Sequence, residues 1–327
     1  MRTLLHLVAI QNVGGHSSNS SPMLTLRTGI TLWGQSAGGG SVTAYSYAWP
    51  EDPKLAGLIA DSGALSRASS SDTAQGNFTY LAGLVGCGEK SPEDELACMR
   101  TVPARDLENT LSNYIISQAS PSLSFRPVVD EKTFFSNYTE RTLAGAVAQI
   151  PLITGSNTNE GAGFVPFTPD GPGAEVLYNT TQNIIACPVA ELAQIRGLGN
   201  LTTYRYLYAG NFSNISPLPW FGAYHSAELP MLFGTHYEYR ANSTEYQWET
   251  ANAMQALWVS FAQDPERGPV RISPGAATGE ADGNPDGEVV FEWPQWQGGD
   301  ELLVIAEGDT VFRIGAAEDV GFCRLDQ

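Results

Sequence analysis

Short apolar runs, separated by polar, glycine-rich or proline-rich stretches, recur along the chain. Ile30 to Trp33 reads as a buried strand, and the glycine-rich stretch after it opens into a short helix over Ser41–Ala48. Leu55 to Ala60, Leu152 to Thr154 (closed by Gly155) and Tyr204–Tyr208 read as further strands. Ser91-Pro92-Glu93-Asp94 is a helix start, with serine as N-cap, proline in the first turn and acids facing the positive end of the helix dipole. Pro188–Arg196 reads as a helix. In residues 245–263, Ala251, Met254, Trp258 and Phe261 recur at three- and four-residue steps, the spacing of an amphipathic helix. Residues 11–28 (Asn, Ser, Gly) and 264–300 (Gly, Pro, Asp) read as loop. Strands alternating with helices predict an α/β architecture. No repeat or linker divides the chain, so the expectation is an irregular segment over 1–28 and one partial α/β domain over 29–327.

Composition narrows the function classes. The chain has 327 residues, of which 42% are hydrophobic and 16% charged, a globular balance rather than a disordered one. A net charge of −18 repels phosphate backbones and anionic lipid surfaces, so nucleic acid and membranes are not expected partners. No apolar run approaches the roughly 18 residues of a transmembrane helix. Four cysteines, Cys87, Cys98, Cys187 and Cys323, are compatible with two disulfides, and sequence alone leaves three pairings open. Sequons for N-glycosylation occur at Asn19, Asn77, Asn137, Asn179, Asn200, Asn211, Asn214 and Asn242, some of them expected by chance. Together these signals point to a secreted, extracellular protein. Met1-Arg2 followed by Leu4 to Ile10 is a poor signal peptide, interrupted by His6 and without a convincing cleavage site. No C-x-x-C or His/Cys cluster suggests a metal, and no cofactor is called for.

The chemistry concentrates at Gly34-Gln35-Ser36-Ala37-Gly38. A G-x-S-x-G run after an apolar strand and before a helix is the setting of a nucleophile elbow, which holds its serine on a tight bend with the hydroxyl exposed. A serine hydroxyl is a poor nucleophile at neutral pH and needs a base, which in turn needs a carboxylate to orient it. In α/β-hydrolases the chain order is serine, acid, histidine. Of four histidines, His6 and His16 precede Ser36, which leaves His225 and His236. His225, in Gly222-Ala223-Tyr224-His225-Ser226, sits in a loop before a helical stretch and suits a positioned base. His236 is followed by polar residues and reads as a surface residue. For the acid, Glu160 lies on a short loop beyond the strand at 152–154, where acids of such sheets lie. On composition alone a solvated loop carboxylate is the competing reading.

These residues carry a resemblance. Thr31-Leu32-Trp33-Gly34-Gln35-Ser36-Ala37-Gly38-Gly39 resembles the signature of the type-B carboxylesterase/lipase family, which includes cholinesterases and fungal lipases. Asp61-Ser62-Gly63 resembles its second serine motif. Phe125-Arg126-Pro127-Val128-Val129-Asp130, Pro151 to Gly161, Tyr224-His225 through Phe233-Gly234, Trp258 to Pro265 and Trp293-Pro294 resemble further family blocks, in order, over roughly residues 29–323. The resemblance implies an α/β-hydrolase fold, with Ser36 as nucleophile, Glu160 as triad acid and His225 as base. It implies that Ser62 supports the triad, that the Ala37 N–H is an oxyanion donor, and that Phe164 is an acyl-pocket aromatic. Cys87 and Cys98 match a family pair. Cys187-Pro188 with a late Cys323 is similar to fungal secreted esterases and implies the pair Cys187–Cys323.

The sequence departs from the family in one respect. It begins shortly before the elbow, so it reads as an N-terminally truncated member whose mostly parallel sheet lacks its N-terminal strands. Gly14-Gly15-His16 is not the Gly-rich oxyanion loop that family members carry upstream. The strand at Ile30–Trp33 is then expected at an exposed sheet edge. Two functions follow as expectations: hydrolysis of a small carboxylic ester through an acyl-enzyme, or a catalytically silent relative used for binding.

Overall fold

The computed structural model describes residues 8–11, 29–51, 54–65, 75–216, 218–272, 289–316 and 323. His6, His16, Gly14-Gly15-His16 and Asn19 lie outside the described residues, as does much of the predicted loop at 264–300. The strands are β1 (Val8–Gln11), β2 (Ile30–Gln35), β3 (Leu55–Asp61), β4 (Leu152–Asn157), β5 (Thr203–Tyr208), β6 (Val270–Ile272), β7 (Val289–Glu292), β8 (Glu301–Glu307) and β9 (Thr310–Ala316). The helices are α1 (Ala37–Ala48), α2 (Gly76–Leu84), α3 (Pro92–Met99), α4 (Ala104–Ile116), α5 (Tyr138–Leu143), α6 (Ala174–Thr181), α7 (Cys187–Leu198), α8 (Leu229–Leu232) and α9 (Glu245–Gln263).

The chain resolves into two compact units. One is built from the described parts of Met1–Ser66 and Asn137–Gln327, the other from those of Arg67–Ser136. The larger unit holds a seven-stranded sheet in the order β1-β2-β3-β4-β5-β8-β9. β2, β3, β4, β5 and β8 run parallel, and antiparallel strands flank them on either side. This is a mostly parallel α/β sheet. One expectation is corrected: β2 is not at the edge, because Val8–Gln11 pairs antiparallel with it, Val8 opposite Trp33 and Gln11 opposite Ile30. The apolar character of Val8-Ala9-Ile10 lies in a stretch that reads as irregular, yet it supplies a ladder for an otherwise open row of backbone groups.

Alternation along the strands divides the core. Leu58, Ala60 and Leu152 pack with Val42 of α1 and Leu192 of α7 on one face. Ile59, Ile153, Tyr204, Tyr206 and Tyr208 pack with Ala251, Met254, Leu257, Trp258 and Phe261 of α9 on the other. β4 and β5 are buried along their whole length, as central parallel strands covered on both faces are. The three-and-four spacing over 245–263 is therefore the buried stripe of α9, whose N-terminus is capped by Thr244 accepting from the Gln247 N–H. Helix α1 begins at Ala37, four residues earlier than its sequence suggests, because the glycines after Ser36 are already helical. Strands β8 and β9 escape sequence reading. The 264–300 stretch is also not all loop: β6 and β7 pair antiparallel within it. Cys187 and Cys323 are joined by a disulfide.

In the smaller unit α2 and α3 enclose Leu81, Ala82, Cys87 and Met99, with Leu107 and Leu111 of α4 against them. The Cys87–Cys98 disulfide staples this cluster. Ser91 caps α3 by accepting from the Asp94 N–H, with Pro92 in the first turn. The two disulfides are thus the pairing that the resemblance implies.

Phe261 is fully buried against Tyr204 at the centre of the larger core. Phe261→Ala is expected to cost about 3–5 kcal/mol through the cavity it leaves. Denaturant unfolding checks this: the midpoint should fall at an unchanged slope, and a midpoint equal to wild type would contradict the packing described.

Candidate active site

Three neighbouring parallel strands deliver three side chains to one end of the sheet. β2 ends at Gln35 beside Asp61 of β3, and Asp61 lies beside Gly155 of β4. Ser36, Ser62 and Glu160 therefore follow the carboxyl ends of adjacent strands, where α/β sheets bind ligands. Ser36 has φ 58° and ψ −121° and forms the N-cap of α1. Ser62 also has a positive φ, 46°. Such backbones cost on the order of 1–3 kcal/mol each and persist only where neighbours fix them. Here the Ser36 N–H donates to the Asp61 carbonyl at 2.9 Å, and the Ser62 N–H to the Gly155 carbonyl at 3.0 Å. The bend also dictates glycine. A Cβ on Gly34 would lie 2.3 Å from the Gly38 carbonyl, and one on Gly63 only 2.1 Å from the Ser36 oxygen.

Glu160 is fully buried at the start of a one-turn helix, Glu160–Gly163. Its Oε1 accepts from the Ser62 hydroxyl at 2.6 Å and from the Asn157 N–H at 2.7 Å. Its Oε2 lies 2.5 Å from His225 Nδ1. A carboxylate only accepts, so Nδ1 carries the proton and Nε2 is left with a lone pair. Nε2 lies 3.4 Å from the side-chain amide nitrogen of Gln35, the residue immediately before Ser36. The imidazole therefore faces the elbow. The loop bearing His225 is held by a bridge between Asn159 and Tyr224 and by the Asn159 N–H donating to Ala223. His225's side chain is 12% exposed, enough for a reactant to reach the ring. Phe164 packs on it, ring centroids 4.7 Å apart, and keeps 39% of its surface exposed.

The expected site residues are thus distributed as follows. Ser62, Glu160 and His225 form a continuous hydrogen-bonded chain that ends at the elbow. Ser36 and Ala37 stand at the elbow and the first position of α1. Phe164 borders His225. His236 is a correction: it is fully buried rather than on the surface. Its Nδ1 pairs with the Ser243 hydroxyl at 2.6 Å, and Trp248 packs edge-on against its ring. The polar residues after it lie in a short turn whose aromatic neighbours cover the imidazole.

Sequence reading missed the carboxyls beneath this row. Asp61 is fully buried and accepts from Trp33 Nε1 at 2.6 Å and from the Tyr206 hydroxyl at 2.9 Å. Burial pushes its carboxyl up to about 7. Glu228 is fully buried too, and burial, followed by the nearby charge of Glu160, pushes it up to about 8. The spacing was visible, since Asp61 abuts Ser62 and Glu228 stands three residues after His225, but nothing in sequence marks a carboxyl as buried. Among the described residues no group of His, Cys, Asp and Glu is arranged to hold a metal ion. No described helix is long and apolar enough to cross a membrane.

The carboxylesterase family model matches residues 27–184 and 173–310, nearly the whole of this architecture. The chain belongs to the carboxylesterase family. It is 61% identical over 296 residues to a chlorogenic acid esterase of Aspergillus niger, covering 90% of this chain and 56% of that protein. It is 42% identical over 257 residues to secreted lipase 5 of Gibberella zeae, covering 73% and 48%. It is 26% identical over 266 residues to the para-nitrobenzyl esterase of Bacillus subtilis, covering 72% and 53%. The chain spans about half the length of these curated relatives.

The raised carboxyls make a stability prediction. A group pushed up on folding contributes stability that is fully present below its ordinary range and is lost as pH rises through its folded value. For Asp61 and Glu228 the loss falls as pH approaches about 7 and about 8. The melting temperature is expected to fall between about pH 5 and about pH 8, and less steeply in Asp61→Asn. Thermal scans across that range check this, and identical slopes in both proteins would contradict it.

Proposed function

We propose that this chain carries the catalytic centre of a carboxylic ester hydrolase, with Ser36 as nucleophile, His225 as base and Glu160 as orienting acid. The observation that carries the reading is the hydrogen-bonded chain Ser62–Glu160–His225 ending beside Gln35 at the elbow. The family and the esterase and lipase relatives support it. His225 Nε2 takes the Ser36 proton as Oγ attacks the ester carbonyl, and Glu160 stabilises the imidazolium. The tetrahedral oxyanion is met by the Ala37 N–H at the N-terminus of α1, where the helix dipole favours negative charge. Imidazolium then gives its proton to the departing alcohol as the acyl-enzyme forms on Ser36. Water, deprotonated by His225, attacks that acyl group and releases the acid and free Ser36. Ser62 shares the load on Glu160. Phe164, half open beside His225, is the acyl-side aromatic surface. The name of the Aspergillus niger relative makes chlorogenic acid the first natural ester to assay.

Two experiments separate this reading from a catalytically silent binding protein. An organophosphonate should label wild type at Ser36, and Ser36→Ala should lose both labelling and turnover of a short-chain aryl ester. Folded wild type that neither labels nor turns over ester would favour the silent reading. Ser36→Ala with wild-type turnover would remove Ser36 from the role.

We infer further that the protein is extracellular and glycosylated. Two disulfides and a relative named as a secreted lipase support this. Asn137, Asn179, Asn200, Asn211 and Asn242 are exposed. Asn214 is buried, its amide nitrogen donating to the His236 and Ala241 carbonyls and its oxygen accepting from Gln247. Glycopeptide mass spectrometry of protein secreted by a eukaryotic host should find glycan at Asn211 and none at Asn214. An occupied Asn214 in folded protein would contradict the assignment.

A further inference from the structure

Asn157 closes β4 three residues before Glu160 and is fully buried. Its backbone N–H donates to Glu160 Oε1 at 2.7 Å. Its side-chain Nδ2 donates to the Tyr224 carbonyl at 2.8 Å and to Glu228 Oε2 at 2.5 Å. Tyr224 immediately precedes His225, and Glu228 follows it by three. One residue thus grips the acid with its main chain and both sides of the histidine loop with its side chain. We propose that Asn157 and Glu228 form a buried positioning pair that sets the distance between Glu160 and His225, with Glu228 acting as a neutral carboxylic acid.

This rests on the reading of Ser36, Glu160 and His225 as a triad. Within that reading the choice of an acid at 228 has a physical rationale. Asn157 Nδ2 needs an acceptor in a space closed to water, and the Glu228 carbonyl oxygen supplies one. An anion there would stand next to Glu160 without a cation, since no ion pair to Glu228 occurs among the described residues. The titratable groups facing Glu228 are Asp61 from β3, Glu160 beyond β4, Tyr206 and Tyr208 from β5, and Tyr224 beside His225. Two of these are carboxyls, three are phenols and none is basic. The burial that pushes Glu228 up therefore keeps it protonated in the neutral range. The pair supplies rigidity without a second negative charge beside Glu160. The loop is tied independently by Asn159, whose amide nitrogen donates to the Trp220 and Phe221 carbonyls, both at 2.8 Å. Loss of the Asn157 side chain should therefore loosen the triad without unfolding the loop.

The test compares Asn157→Ala, Glu228→Leu, Glu228→Gln and the double variant Asn157→Ala/Glu228→Leu. It reads three quantities: thermal stability, kcat and KM on a short-chain aryl ester, and the low-field proton resonance of His225 Nδ1–H. Asn157→Ala and Glu228→Leu are expected to lower kcat roughly ten- to a hundredfold, with KM little changed and the low-field resonance broadened. The double variant should be no worse than the poorer single, because one coupled unit has been removed. Glu228→Gln preserves an uncharged acceptor and should retain most of what Glu228→Leu loses, with the pH profile of kcat unmoved. Folded Asn157→Ala or Glu228→Leu with wild-type kcat and a sharp resonance would overturn the proposal. So would a Glu228→Gln profile shifted to lower pH, the mark of a lost anion. If wild type neither turns over ester nor accepts a phosphonate, the triad reading fails. The resonance then still decides whether the pair holds His225 against Glu160.

Discussion

A buried carboxylate organises this molecule. Glu160 is shut off from solvent and has only hydrogen-bond donors to satisfy it: a hydroxyl from the end of β3, a backbone N–H from the end of β4, and an imidazole from a distant loop. An acceptor in that position is tolerated only while every donor stays within reach. The register of β3 and β4, the strained backbone of Ser62, and the pinning of the histidine loop to Asn157 and Asn159 bring those donors within reach. Rigidity at the site is a consequence of burying one polar group.

The sheet makes such precision affordable. The hydrogen bonds that fix the bends at Ser36 and Ser62 run to main-chain carbonyls of the next strand, so the strain is anchored in the ladder and not in mobile side chains. Aromatic rings from β5 and α9 fill the space beneath the elbow, with Asp61 bonded among them by Trp33 and Tyr206. Burial raises Asp61 and Glu228 toward and above neutrality, so two carboxyls that ionise less readily lie beneath the one that the proposed chemistry needs as an anion. Two acids of the same chemical type thereby do different work, separated only by their surroundings.

Much was legible in the amino-acid sequence because local rules governed it. Gly34 is demanded by contacts with Gly38 and Gly39, within five residues, so at that position the motif and the bend are one fact. The apolar stripe of α9, the Ser91 cap and the buried runs of β4 and β5 are likewise local. Composition and cysteine count set the class, and the block order carried the resemblance to the carboxylesterases, which the family match established.

What the tertiary structure alone decided depends on partners far along the chain. Val8–Gln11 protects the elbow strand although nothing near it in sequence announces a strand. His236, polar-flanked and apparently exposed, is buried because Trp248 and Ser243 close over it. Asn211 and Asn214 read as equivalent sequons, yet one faces solvent and the other satisfies two carbonyls in the interior. Asn157 and Glu228 have no motif because their meaning lies in a contact across 71 residues. Sequence determines which groups can donate, accept or ionise. Burial and distance, which belong to the folded chain, determine which of them do.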